Sequence, residues 1–150
     1  MRPTENLRPI EVLLVEDSES DAMIVEEAFV DARIANKLQI AEDGDAARKY
    51  LFARPPFADR KRPDLILLDL NLPDIDGADL LSEVKNSDEF KSIPVVIMTT
   101  SSDREDIKQA YERQAAGFVT KPVLAGDFLA VLAEIQDYWF YVCRLPNGFH

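Results

Sequence analysis

The chain of 150 residues has one cysteine, Cys143, and one histidine, His150, at its very end. A single thiol closes no internal disulfide and builds no cysteine zinc site, so nothing points to an oxidising compartment. No stretch approaches the roughly 18 uninterrupted apolar residues that a membrane helix needs. Residues 1–9 are polar and carry proline, unlike a signal peptide. Positive charge is also scarce: 17 Lys and Arg stand against 28 Asp and Glu, a formal net charge of −11. Phosphate backbones are held mainly by clustered Lys and Arg, so this balance argues against nucleic acid as a partner. It also disfavours adsorption to anionic membranes. There is no internal repeat and no low-complexity stretch. What remains is one acidic, cytoplasmic globular domain with enough apolar residues, 47%, to bury a core.

What is present is a series of short apolar runs, each ending in a polar residue. Val12, Leu13, Leu14 and Val15 lead into Glu16 and Asp17; Leu65, Ile66, Leu67 and Leu68 lead into Asp69. Val95, Val96, Ile97 and Met98 lead into Thr99 and Thr100; the weaker pair Phe118 and Val119 leads into Thr120, Lys121 and Pro122. Continuous runs of about four aliphatic residues suit strands covered on both faces, as in parallel sheets. A fifth, alternating segment runs over residues 38–41. Helical patterns lie between the strands. One is capped by Ser18 or Ser20, a second starts near Asp45, a third follows Asp76 and Gly77, and a fourth follows Ser102 and Asp103. The last places Phe128, Leu132, Ile135 and Trp139 on one helical face. Residues 54–63, rich in proline and basic side chains, form an exposed loop. Five strands alternating with five helices predict a doubly wound α/β fold with a parallel sheet.

In such a sheet, ligands sit beyond the carboxyl ends of the strands, where strand order reverses. Glu16, Asp17, Asp69, Thr99 and Lys121 are therefore expected to meet at one edge. Each alone is ordinarily a solvated surface group; four strand ends delivering complementary groups to one edge make a site. Carboxylates packed together repel unless a cation neutralises them. Oxygen ligands with room for water suit Mg²⁺, and no Cys or His lies nearby to favour zinc. An Asp beside Mg²⁺ is a competent nucleophile toward a phosphoryl group, with lysine and hydroxyl receiving the transferred oxygens. No strong general base is present and none is needed, so the set is suited to accepting a phosphoryl group rather than to multi-step catalysis.

These residues resemble those of a receiver domain of two-component response regulators. The marks are Glu16 and Asp17; then Asp69, Asn71, Pro73, Asp76 and Gly77; then residues 94–99; then Gly117, Phe118, Lys121 and Pro122. The resemblance covers residues 10–137, with a helical extension and tail over 138–150. It implies the flavodoxin-like (βα)5 fold with strand order 2-1-3-4-5. It implies that Asp69 is the phosphoacceptor and that Asp17, Asp69 and the backbone carbonyl of Asn71 hold Mg²⁺, with Glu16 acting through water. Thr99 and Lys121 would bind phosphoryl oxygens, Lys121–Pro122 would be cis, and Phe118 would be the aromatic that fills the space Thr99 vacates. Without the resemblance, the bare residues favour Phe118 as a core aromatic on a buried strand. Two positions depart from the commonest pattern: Glu16 stands where Asp is usual, and Thr100 where a small residue is usual, narrowing access to the phosphoryl group.

The chain ends about 28 residues after Pro122, room for one helix and a tail but not for a helix-turn-helix output domain. A stand-alone receiver signalling by protein contact is expected, with no activity beyond self-catalysed phosphoryl transfer and aspartyl-phosphate hydrolysis. The aromatic tail (Tyr138, Trp139, Phe140, Tyr141), Met98 to Ser101 and the insertion at 54–63 resemble stand-alone regulators paired with phytochrome histidine kinases. His150 cannot reach the site, so the donor is a partner histidine kinase or phosphotransfer protein, or a small phosphodonor. The exposed tail rings are expected to help form a homodimer through the fourth helix, fifth strand and fifth helix; the alternative folds them onto the protein's own core. Two other classes share the architecture. A haloacid dehalogenase-type phosphatase carries an acid-base Asp two residues after its nucleophile, where this chain has Asn71. A flavodoxin needs a phosphate loop after the first strand, where Glu16 and Asp17 would repel the FMN phosphate.

Overall fold

The computed structural model describes residues 9–32 and 35–146; the polar N-terminal segment and His150 lie outside the described residues. Five strands form one sheet: β1 (Ile10–Val15), β2 (Asn36–Ala41), β3 (Leu65–Leu68), β4 (Val95–Thr99) and β5 (Gly117–Thr120). Every pairing is parallel and the order is β2-β1-β3-β4-β5, as the sequence predicts. The physical reason is visible in the runs themselves. A buried Val, Leu or Ile stabilises by about 1.5–3 kcal/mol relative to an exposed one. The three strands with continuous aliphatic runs, β1, β3 and β4, are buried along their whole length and take the interior positions. The mixed segments β2 and β5 form the edges.

The pleat divides these side chains between two cores. Leu13, Val15, Ile66, Leu68, Val95 and Ile97 face one side, covered by α2 (Gly44–Leu51), α3 (Gly77–Lys85) and α4 (Arg104–Glu112). Val12, Leu14, Leu65, Leu67, Val96 and Met98 face the other, covered by α1 (Glu19–Val30) and α5 (Ala125–Gln136). Ser18, Asp43, Asp76 and Asp103 cap α1 to α4, each accepting a backbone N–H from the first turn. The second helix thus starts one residue before Asp45.

Two expectations change, and a third gains a feature. After α5 the chain continues as a π-helical turn, Asp137–Val142, in which Cys143 N–H reaches back to Tyr138 O at 2.7 Å. The wider turn carries one extra residue, so Phe140 rather than Trp139 becomes the fully buried ring, edge-on to Phe29 at 5.6 Å. Trp139 is half-buried, while Tyr138 and Tyr141 are about half exposed. The loop at 54–63 is pinned as well as exposed: Phe57 packs edge-on against Tyr50, and Arg60 donates to the carbonyls of Tyr50 and Leu51 at the C-terminal end of α2. The cis bond among the described residues is Pro55–Pro56, and Lys121–Pro122 is not cis. The two isomers of an X–Pro bond differ by only about 0.5–1 kcal/mol, so the Lys-Pro pair alone does not dictate one.

Candidate functional site

The order of the sheet reverses beside β1, which has β2 on one side and β3 on the other. The ends of β1 and β3 deliver Glu16, Asp17 and Asp69 there, and the ends of β4 and β5 deliver Thr99 and Lys121. Glu16 is tied to the sheet by its N–H, which bonds Ala41 O at 2.9 Å, so its side chain turns inward and is buried. Its Oε2 accepts the Ser18 N–H at 3.1 Å and its Oε1 meets Lys121 Nζ. Asp69 is also buried: Oδ1 accepts the Asn71 N–H at 3.0 Å, and Oδ2 lies 2.9 Å from Lys121 Nζ. Lys121 is placed by its own N–H, which bonds Thr99 O at 2.7 Å. Thr99 is fully buried, and its Oγ1 accepts from Asn71 Nδ2 at 3.3 Å. Asp17 is exposed and lines an open cleft of about 600 Å³ with Asn71, Asp76 and Asp106.

Ligand oxygens of Glu16, Asp17 and Asp69 all lie within 4.8 Å of one another. Such crowding is costly without a cation. Burial pushes Glu16 up to about 7; the Asp69 charge adds to this, and Lys121 opposes it. Burial works to lower Lys121, but hydrogen bonds to Glu16, Asp69 and Asp21 reverse this and hold it above the ordinary lysine range. One ammonium faces three carboxylates, with Asp17 beside them, so the site retains excess negative charge. Hard oxygen donors beside a cleft with room for water fit a divalent metal ion, and this cluster can chelate one.

The structure therefore brings together Glu16, Asp17, Asp69, Asn71, Thr99 and Lys121. Phe118 stands apart: it pairs in register with Ile97, shares that face of the sheet with Thr99, and packs partly buried against the core. Two acidic residues were not foreseen. Asp21, in the first turn of α1, accepts from Lys121 Nζ at 3.0 Å. Its partner lies 100 residues away along the chain, so local spacing carries no signal for it. Asp74, between β3 and α3, accepts the N–H groups of Gly44 and Asp45 at 2.8 and 2.9 Å. It thereby caps α2 and moors the loop that carries Asn71. The same loop is closed by Gly77, where a Cβ would lie 2.3 Å from Asp69 O, so no larger residue fits.

Comparison with known proteins agrees with this geometry. Residues 12–133 match the response regulator receiver domain. The chain is 37% identical to the response regulator Rcp1 of Synechocystis sp. over 142 residues, covering 95% of this chain and 97% of that one. The crystal structure of the phosphorylated cyanobacterial phytochrome response regulator RcpA superposes with a TM-score of 0.89 at 33% identity, covering 93% of this chain and 99% of that one. The Mn²⁺-bound form of Rcp1 gives a TM-score of 0.88 at 38% identity, with 92% and 99% coverage. A phosphoacceptor receiver of this kind partners with a histidine kinase or phosphotransfer protein, and among the described residues no helix is long and apolar enough to cross a membrane. With the fold, the acidic cluster and these relatives in agreement, the chain belongs to the response regulator receiver domain family.

Proposed function

We propose that Asp69 accepts a phosphoryl group from a histidine kinase or phosphotransfer protein, with Mg²⁺ as the ion in the site. The carrying observation is that Asp69 lies 2.9 Å from Lys121 Nζ and converges with Glu16 and Asp17 on one cation position. Asp17, Asp69 and the backbone carbonyl of Asn71 would hold the ion, with Glu16 acting through water. When bound, the ion neutralises the oxygens of the transferring phosphoryl group. An ionised Asp69 oxygen forms the bond to phosphorus as the donor's bond to phosphorus breaks, and the pair of electrons leaves with the donor. Lys121 takes one phosphoryl oxygen. The Thr99 hydroxyl, which now accepts from Asn71, turns to donate to another, and Phe118 moves into the space beside it. That movement reshapes the face made by α4, β5 and α5.

The donor is a phytochrome histidine kinase in this reading; the similarity to the phytochrome response regulator RcpA supports it. Output is by protein contact in the cytoplasm, without nucleic acid or membrane, through a homodimer built on α4, β5, α5 and the aromatic tail. Tyr111 on α4, with Tyr138, Tyr141 and Val142 after α5, offers exposed apolar surface for it.

Intact-mass measurement after incubation with acetyl phosphate tests the acceptor. A Mg²⁺-dependent gain of one phosphoryl group, absent in Asp69→Asn, is expected; a gain that survives in Asp69→Asn would overturn the assignment. Sedimentation at micromolar concentration tests the dimer, and a monomer in both phosphorylation states would sink it.

A further inference from the structure

An ammonium has three N–H donors, and Lys121 directs all three at carboxylates: Glu16, Asp69 at 2.9 Å and Asp21 at 3.0 Å. Glu16 and Asp69 belong to the group whose oxygens converge for a cation; Asp21 does not. Its position is set independently. Asp21 sits in the first turn of α1, where its N–H is held by Ser18 Oγ at 3.2 Å, so its carboxylate is carried by a capped helix end. Its side chain is 28% exposed, whereas Glu16, Asp69 and Lys121 are each at 7% or less.

On the phosphoacceptor reading, which this inference rests on, the loaded site withdraws two of these three partners. Esterification removes the charge of Asp69, and the cation draws Glu16. A buried ammonium is strongly disfavoured without a counter-ion, and until the phosphoryl oxygens reach it Asp21 is the carboxylate that stays with Lys121. We propose that Asp21 is the anchor of Lys121: a positioning residue that keeps the ammonium beside Asp69 through loading, so that its freed donors meet the phosphoryl oxygens. Asp21 touches neither cation nor phosphoryl group; it acts through the lysine.

The test uses the phosphoryl mimic beryllofluoride on the full chain. Wild type, Asp21→Asn and Asp21→Ala are titrated by calorimetry with Mg²⁺ alone, then with beryllofluoride at saturating Mg²⁺. The expected result is Mg²⁺ affinity within about threefold across the three proteins, because Asp21 is not a ligand. Beryllofluoride affinity should fall at least about tenfold in Asp21→Ala and by a smaller factor in Asp21→Asn, which keeps an acceptor oxygen but not the counter-charge. Wild-type beryllofluoride affinity in Asp21→Ala overturns the anchor. Equal losses of Mg²⁺ and beryllofluoride binding in Asp21→Ala also overturn it, since they mark a general distortion. A wild-type protein that binds neither probe overturns the phosphoacceptor reading itself, and the anchor with it.

Discussion

Lys121 Nζ stands 2.9 Å from Asp69 Oδ2 and also holds Glu16, so the ammonium engages two of the three carboxylates that converge on the cation position. Lysine and cation therefore compete for the same negative charge before phosphorylation, and cooperate only once a phosphoryl group arrives. Two unit charges about 4 Å apart interact by roughly 4 kcal/mol at an effective dielectric of 20, an upper bound that water and relaxation reduce. Lys121→Ala is expected to tighten Mg²⁺ binding by about tenfold in calorimetry while weakening beryllofluoride binding at saturating Mg²⁺. Weaker Mg²⁺ binding in the variant would show that the lysine supports the ion.

Glu16 gives the site a pH dependence whose sign can be worked out. Its value is raised from 4.5 to about 7 in the folded chain, chiefly by burial. Between those values the folded chain holds a proton that the unfolded chain has released. This contribution to stability is fully present below pH 4.5 and is lost as pH rises through 7. Urea denaturation without divalent cation should show wild type losing up to about 2 kcal/mol relative to Glu16→Gln between pH 5.5 and 7.5. With Mg²⁺ the order reverses, because binding below pH 7 must displace that proton. The wild-type affinity should fall by up to about tenfold per pH unit there, and that of Glu16→Gln should stay nearly flat.

The placement of Glu16, Asp69, Thr99 and Lys121 was legible because each lies within two residues of the end of an apolar run, and a parallel sheet sends all its strand ends to one edge. That β1, β3 and β4 are covered on both faces was legible in their continuous aliphatic runs, whereas the strand order came from the resemblance to receiver domains. Asp21 was not foreseen, although the helix start at Ser18 or Ser20 was recognised, because its partner lies 100 residues away. Asp74 bonds backbone N–H groups 29 and 30 residues distant, and a backbone donor leaves no side-chain signature. Trp139 was assigned to the buried face by counting 3.6 residues per turn; the π-helical turn breaks that count and gives the place to Phe140.

Asp74 links the stability of α2 to the phosphoacceptor loop. Burial works to raise its carboxyl, but the backbone donors of Gly44, Asp45, Asp74 and Ile75 together hold it below the ordinary range. Asp74→Ala removes the bonds to Gly44 and Asp45 at a helix N-terminus, a loss of about 1 kcal/mol expected in urea denaturation. The freed loop also carries Asn71, so Mg²⁺ affinity should weaken by about threefold. A stability loss with unchanged Mg²⁺ affinity would mean that Asp74 serves α2 alone.

The aromatic tail separates into one fully buried ring, Phe140, and rings that stay partly exposed. Phe140 is 2% exposed and meets Phe29 edge-on, so Phe140→Ala should cost about 3–5 kcal/mol in thermal or urea unfolding. Tyr141 is 53% exposed, so Tyr141→Ala should cost less stability than Phe140→Ala. If the tail joins two copies, the same Tyr141→Ala protein should shift the sedimentation profile toward monomer. A protein that loses stability but keeps its association state would place Tyr141 in the fold and leave the dimer to α4, β5 and α5 alone.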